Sequence, residues 1–231
     1  MSARGFDALI LRRFEYRGAD LILSLYTREA GKLRVIAANA RKSRKRFMGG
    51  LDPMQRAQMT IRIRESASLH RLEESTLSDA FLALRGKLKR LEAAGAILGI
   101  LDRHLEEGDA DPELFDRVLR AFERLSRDDE ALEVDAFRLF FVERAGHAPV
   151  LDRCVESSTL APEDRPAYFD PRRGGVVSRL HGGGPFLLSP RARQFMREAL
   201  YANEAPSVAL DEEERAQIKR SLDAFFEAQF S

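Results

Sequence analysis

Apolar and polar positions alternate with a period of two over roughly the first 75 residues, then recur every three or four residues. Residues 6–14 are mainly apolar and end in Arg12-Arg13-Phe14, and residues 21–26 form a second apolar run behind the turn-like Arg17-Gly18-Ala19-Asp20. In residues 32–37, opened by Gly31, Leu33, Val35 and Ala37 face one way and Lys32, Arg34 and Ile36 the other. In residues 59–64, Met59, Ile61 and Ile63 point inward, with Arg62 and Arg64 outward. Residues 68–72 add a short fifth strand. Five short strands, with a long polar insertion after the third, predict a small Greek-key barrel of the OB-fold kind.

Helical spacing begins near residue 75. Leu77, Phe81, Leu84, Leu88 and Leu91, continued by Ile97 and Leu101, predict a long helix or helix pair to about residue 106. Asp111 followed by Pro112 reads as an N-cap and first helical residue, and Leu114, Val118, Phe122 and Leu125 line the helix that follows. A helix over 130–145 carries Leu132, Phe137, Phe140 and Phe141 and stops at Gly146. Ser189-Pro190 opens a helix to residue 201, and the acids Asp211, Glu212, Glu213 and Glu214 occupy the first turn of the last one. Residues 147–188 are rich in Pro, Gly and Ser and hold a predicted β-hairpin over 167–178. The fold class predicted is α+β: a five-stranded OB-fold barrel (1–78), then a helical domain (79–231) with the hairpin segment 147–188 inserted.

Composition suits a globular chain: of 231 residues, 44% are hydrophobic and 32% charged. No apolar stretch is long enough for a membrane helix, and residues 1–5 lack the apolar core of an export signal. The single cysteine, Cys154, excludes an intramolecular disulfide. These features predict a cytoplasmic protein with no membrane partner.

The formal net charge of +1 conceals an asymmetry. Residues 1–80 hold 16 Lys+Arg against 9 Asp+Glu, and the remainder holds 22 against 28. Five of the six residues 41–46 are cationic: Arg41, Lys42, Arg44, Lys45 and Arg46. Such a cluster repels itself and attracts a polyanion. With Arg12, Arg13, Arg34, Arg62 and Arg64 on the same barrel, it predicts a nucleic-acid interface. Phe47, at the end of the run, is the candidate for stacking on bases, whereas Phe14 and Tyr26 are expected in the core. Enzyme motifs are missing. Gly31-Lys32-Leu33 and Gly86-Lys87-Leu88 lack the upstream glycine and following hydroxyl of a phosphate-binding loop. The acids around 106–111 and 128–129 fall at helix ends, where capping explains them. The expectation is a binding protein without catalysis or cofactor.

The order Leu9-Ile10-Leu11-Arg12-Arg13, Gly18 to Leu33, Ala40-Arg41-Lys42-Ser43 and Leu51-Asp52-Pro53 resembles the N-terminal region of the bacterial RecO family. The likeness continues at Phe140 to Pro149, at Leu151-Asp152-Arg153-Cys154, at Tyr168-Phe169-Asp170 and at Gly174 to Val177. The resemblance implies binding of single- and double-stranded DNA, strand annealing, and help in loading RecA on SSB-coated DNA in the RecF pathway. It also implies RecR and the acidic tail of SSB as partners, and a nucleoid-associated place in the cytoplasm. A cationic apolar helix face at Arg85, Lys87, Lys89 and Arg90, beside Leu84, Leu88 and Leu91, is the candidate for that tail, against a plain solvated face. Many family members hold zinc with two Cys-x-x-Cys pairs. Here the corresponding positions are Cys154, Ser157, Ser178 and His181, a degenerate set from which no structural zinc is expected. Tyr168, Phe169, Val176 and Val177 are then expected to hold the hairpin by packing. A protein-interaction scaffold, or an RNA-binding OB-fold protein, remains an alternative reading of the residues themselves.

Overall fold

The computed structural model describes residues 3–43, 45–64, 67–127 and 132–230, and the chain divides into two compact units, Met1–Asp129 and Glu130–Ser231.

The first unit begins with β1 (Ala3–Tyr16), β2 (Asp20–Thr27) and β3 (Gly31–Ala37), a meander of antiparallel pairs. A two-residue β4 (Phe47–Met48) precedes β5 (Arg56–Arg62) and β6 (His70–Asp79). The sheet order is β3-β2-β1-β5-β6-β4. Parallel pairing of β6 with β3, through Val35↔His70 and Ile36↔Arg71, closes five strands into a barrel. This is the expected OB-like architecture. The predicted inward residues Leu33, Val35, Ala37, Met59 and Ile61 lie in its core with Ile10, Leu21, Leu23, Leu25 and Leu72, and Ile63 packs against it partly buried.

Two elements depart from the sequence pattern. The strand β6 runs to Asp79, so Leu77 belongs to a strand and pairs with Ala57 rather than starting a helix. The apolar spacing of Leu77 and Phe81 mimics a helical period, but ladder pairing to β5 and β4 already satisfies this backbone. Helix then appears as a short α1 (Leu82–Arg85) and α2 (Leu88–His104), with Phe81 between strand and helix at φ 44°. The second departure is in β1. Its register to β2 shifts between Ile10 and Arg12, a β-bulge at Leu11.

The helix α3 (Pro112–Arg127) starts as predicted, with the Asp111 carboxylate accepting the Leu114 N–H at 3.0 Å. Leu114, Val118, Phe122 and Leu125 are buried. The outer surface of the barrel meets these helices through Tyr26, whose hydroxyl donates to the Asp111 carbonyl and whose ring lies 5.6 Å from Phe115.

The second unit contains α4 (Leu132–Arg144), a small sheet of β7 (Ala167–Asp170), β8 (Gly175–Val176) and β9 (Phe186–Leu188), then α5 (Pro190–Ala199) and α6 (Glu212–Phe230). The predicted hairpin is present as Phe169↔Val176 and Asp170↔Gly175, and β9 adds a third strand to its other side. Ser189 caps α5 by accepting the Ala192 N–H. At α6, Asp211 and Glu214 exchange hydrogen bonds at 2.8 and 3.1 Å, a capping box that uses two of the acids in the first turn.

Candidate nucleic-acid interface

The basic run is held against the β1–β2 turn. Asn39 adopts a left-handed conformation (φ 53°), and its N–H donates to Asp20 at 2.7 Å. The Arg41 N–H donates to the Ala19 carbonyl, fixing a short 3-10 turn over Ala40–Lys42. Arg41, Lys42 and Lys45 are exposed there, while Arg44 lies outside the described residues.

The predicted cations divide by what they already touch. Arg12 Nε sits 2.6 Å from Asp102, and Arg13 Nη1 is 2.5 Å from Asp52. Arg41 pairs with the exposed Glu15 at 3.2 Å, and Arg62 with Glu73 at 2.9 Å. Arg46 is half-buried, donating to the Ala38 carbonyl at 2.6 Å and lying 4.9 Å above the Phe47 ring. In contrast Arg34, Lys42, Lys45 and Arg64 are exposed and make no ion pair among the described residues. Basic charge thus remains unmatched on the barrel even after its own carboxylates are counted.

Two of the three aromatic expectations are reversed. Phe47 is only 6% exposed and belongs to the barrel core, because β4 pairs with β6 and turns that ring inward beneath Arg46. It cannot offer a face to a base. Phe14, expected in the core, is 48% exposed. The bulge at Leu11 is the reason: before it the even-numbered residues Phe6, Ala8 and Ile10 point inward, and after it Arg13 faces Leu23 while Phe14 turns out beside Ile22. Tyr26 is fully buried, but against Phe115 on the outer surface of the barrel rather than in the barrel core. Arg71, which no local signal in the sequence marks, is exposed on β6 next to Ile36 and 3.9 Å from Glu73.

The second candidate surface keeps less of its charge for a ligand. Arg90 donates to the Ser126 and Arg127 carbonyls at 2.5 and 3.0 Å, completing the C-terminus of α3, and Arg85 donates to the Pro53 carbonyl at 2.7 Å. Leu84 is buried, whereas Leu88 is 70% exposed beside the exposed Lys87 and Lys89.

In the second unit the four degenerate positions do converge, through hydrogen bonds. The Ser178 N–H donates to Cys154 Sγ at 3.2 Å, and Ser178 Oγ lies 2.8 Å from His181 Nδ1. The Ser157 hydroxyl is the main cause holding the Cys154 thiol down to about 6. The N–H groups of Ser178, Ser157 and Glu156 add to it, and burial opposes it. The donor set does not fit zinc: two of four positions are neutral hydroxyls. Among the described residues, no three His, Cys, Asp or Glu side chains group as a metal site would require. Phe169, Val176 and Val177 are buried and Tyr168 is partly so. No helix among the described residues is long and apolar enough to cross a membrane.

Comparison with known proteins agrees with this geometry. Residues 1–81 match the family model described as Recombination protein O N terminal, and residues 85–231 match Recombination protein O C terminal. A DNA repair protein RecO from Anaeromyxobacter sp. is 30% identical over 226 residues, covering 95% of this chain and 88% of the relative. Those from Syntrophobacter fumaroxidans and Rubrobacter xylanophilus are 36% and 33% identical over 149 and 174 residues. These two matches cover 64% and 74% of this chain, and only 59% and 68% of the relatives' own lengths. Two family models that together span nearly the whole chain, on a closed five-stranded barrel followed by helices, place this protein in the RecO family of DNA repair proteins.

Proposed function

We propose that the chain is a non-catalytic recombination mediator that binds single- and double-stranded DNA and anneals complementary strands, without a cofactor. One observation carries the reading: Arg34, Lys42, Lys45 and Arg64 stand exposed on the barrel with no opposing acid among the described residues. Cations so placed neutralise backbone phosphates and release counterions, which lowers the repulsion between two strands. Arg13, Arg41 and Arg62 reinforce them, because exposed ion pairs are worth roughly 0–1 kcal/mol and a phosphate can displace the carboxylate. Arg12, held by the largely buried Asp102, and Arg46, donating to the Ala38 carbonyl, add less. In this reading 1–78 is the nucleic-acid-binding domain and 79–231, including 147–188, the helical domain.

Assistance to RecA on SSB-coated DNA, contact with RecR and a nucleoid-associated place in the cytoplasm belong to the same proposal. The acidic SSB tail would meet Lys87 and Lys89 beside the exposed Leu88, with Arg85 and Arg90 as structural neighbours.

The test is a mobility shift on single-stranded DNA, duplex DNA and RNA. The quadruple variant Arg34→Ala, Lys42→Ala, Lys45→Ala, Arg64→Ala should bind DNA at least about tenfold more weakly with an unchanged far-UV spectrum. Undiminished affinity would refute the placement. Preference for RNA over both DNA forms would transfer the site to the other nucleic acid.

A further inference from the structure

The bulge in β1 has a consequence for what the barrel can recognise. Directly paired residues of neighbouring strands share one face of a sheet. The registers Phe14↔Ile22 and Ile22↔Ile36 therefore lay three apolar side chains in a row across β1, β2 and β3. The row is on the outer face, since Leu21, Leu23, Val35 and Ala37, which flank it in sequence, fill the core. It continues to Arg71 on β6. The adjacent row is Arg12, Ser24 and Arg34. Tyr16 follows Phe14 on the same face, with the Arg17 guanidinium 5.2 Å from its ring centroid.

Nearer the helices this outer face is already packed: Ser24 donates to Asp102 and Tyr26 lies against Phe115. At the Phe14 end it is open, with Phe14 48% exposed and Ile22 and Ile36 partly exposed. An apolar ridge left in water contributes nothing to folding at that spot, and here it is bordered by guanidinium groups on both sides. Its complement is an anionic chain that carries flat apolar rings. Single-stranded DNA has that chemistry. A duplex presents the same phosphates but keeps its base faces stacked inside.

We propose that Phe14, backed by Ile22 and Ile36 and flanked by Arg34 and Arg71, stacks on a base of single-stranded DNA. This rests on the nucleic-acid reading above and adds to it a contact that only unpaired bases can make.

Three ligands of equal length separate the two: oligo(dT), an abasic strand and a duplex. Phe14→Ala should weaken oligo(dT) binding by about 5- to 150-fold, the range for losing one base–aromatic stack. Binding to the abasic strand and the duplex should not change, nor should the salt slope, because no phosphate contact is lost. The chain has no tryptophan, so Phe14→Trp provides a unique fluorophore that should restore affinity and be quenched by oligo(dT) alone. Unchanged oligo(dT) affinity in Phe14→Ala, or an equal loss on all three ligands, would overturn the stacking contact while leaving phosphate binding intact. If the wild-type protein binds none of the three, the nucleic-acid reading itself fails.

Discussion

Asp102 gathers Arg12 Nε at 2.6 Å, Ser24 Oγ at 2.7 Å and Lys32 Nζ at 3.9 Å, with only 14% of its side chain exposed. Lys32 also reaches the carbonyls of Asp102 and Leu105. The carboxylate is therefore the polar link between the barrel and α2, and it explains why Arg12 is a weaker DNA candidate than Arg34 despite similar sequence surroundings. Asp102→Ala would leave the buried Ser24 hydroxyl and Arg12 without their acceptor and remove the carboxylate near Lys32, which keeps its two backbone carbonyls. We expect a loss of roughly 2–4 kcal/mol, read as a lower urea midpoint at unchanged m-value. A change below about 0.5 kcal/mol would mean that this link is dispensable. The exposed pairs of Arg13, Arg41 and Arg62 have no such role and are open to exchange with phosphate.

At the level of elements, the turn between β2 and β3 shows how tightly the barrel is set against its helices. Gly31 has φ +64°, and a Cβ there would come within 2.0 Å of the Asp109 carbonyl oxygen. Gly18, in the β1–β2 turn, has nearly the same φ (+67°) with nothing within 4 Å. Gly18→Ala should cost about 1 kcal/mol for the left-handed backbone alone. Gly31→Ala should cost roughly 3 kcal/mol or more, because backbone must also move. Equal thermal shifts for the two variants would contradict the close approach. The hairpin segment of the second unit makes a different prediction. Cys154, Ser178 and His181 are joined there by hydrogen bonds and backed by buried Phe169, Val176 and Val177. Excess chelator should leave its thermal unfolding unchanged, and a drop of several degrees would reveal a bound metal.

For the whole molecule the decisive property is the charge split, 16 basic against 9 acidic residues over 1–80 and the reverse imbalance beyond. A barrel that neutralises about six phosphates should lose about a thousandfold in duplex affinity between roughly 50 and 200 mM salt. The quadruple cation variant should flatten the log–log slope by about 3–4 units if each cation meets one phosphate. A wild-type slope near zero would argue for a protein partner instead.

The alternation of Leu33, Val35 and Ala37, the capping residues Asp111 and Ser189 and the run at 41–46 were legible because their signals are local. Each depends on neighbours within about one turn or one strand. They were enough for the barrel, most helix starts, the basic surface and the family resemblance. Pairing across the sheet settled the remainder. One extra residue at Leu11 turned Phe14 outward, a two-residue strand drew Phe47 into the core, and the ladder to β5 kept Leu77 out of a helix. Which cations stay unmatched was also decided there, since Arg12 meets Asp102 and Arg62 meets Glu73 only once the chain has folded. A side chain's face and its partners depend on register, and register is a relation between segments that no single stretch of sequence contains.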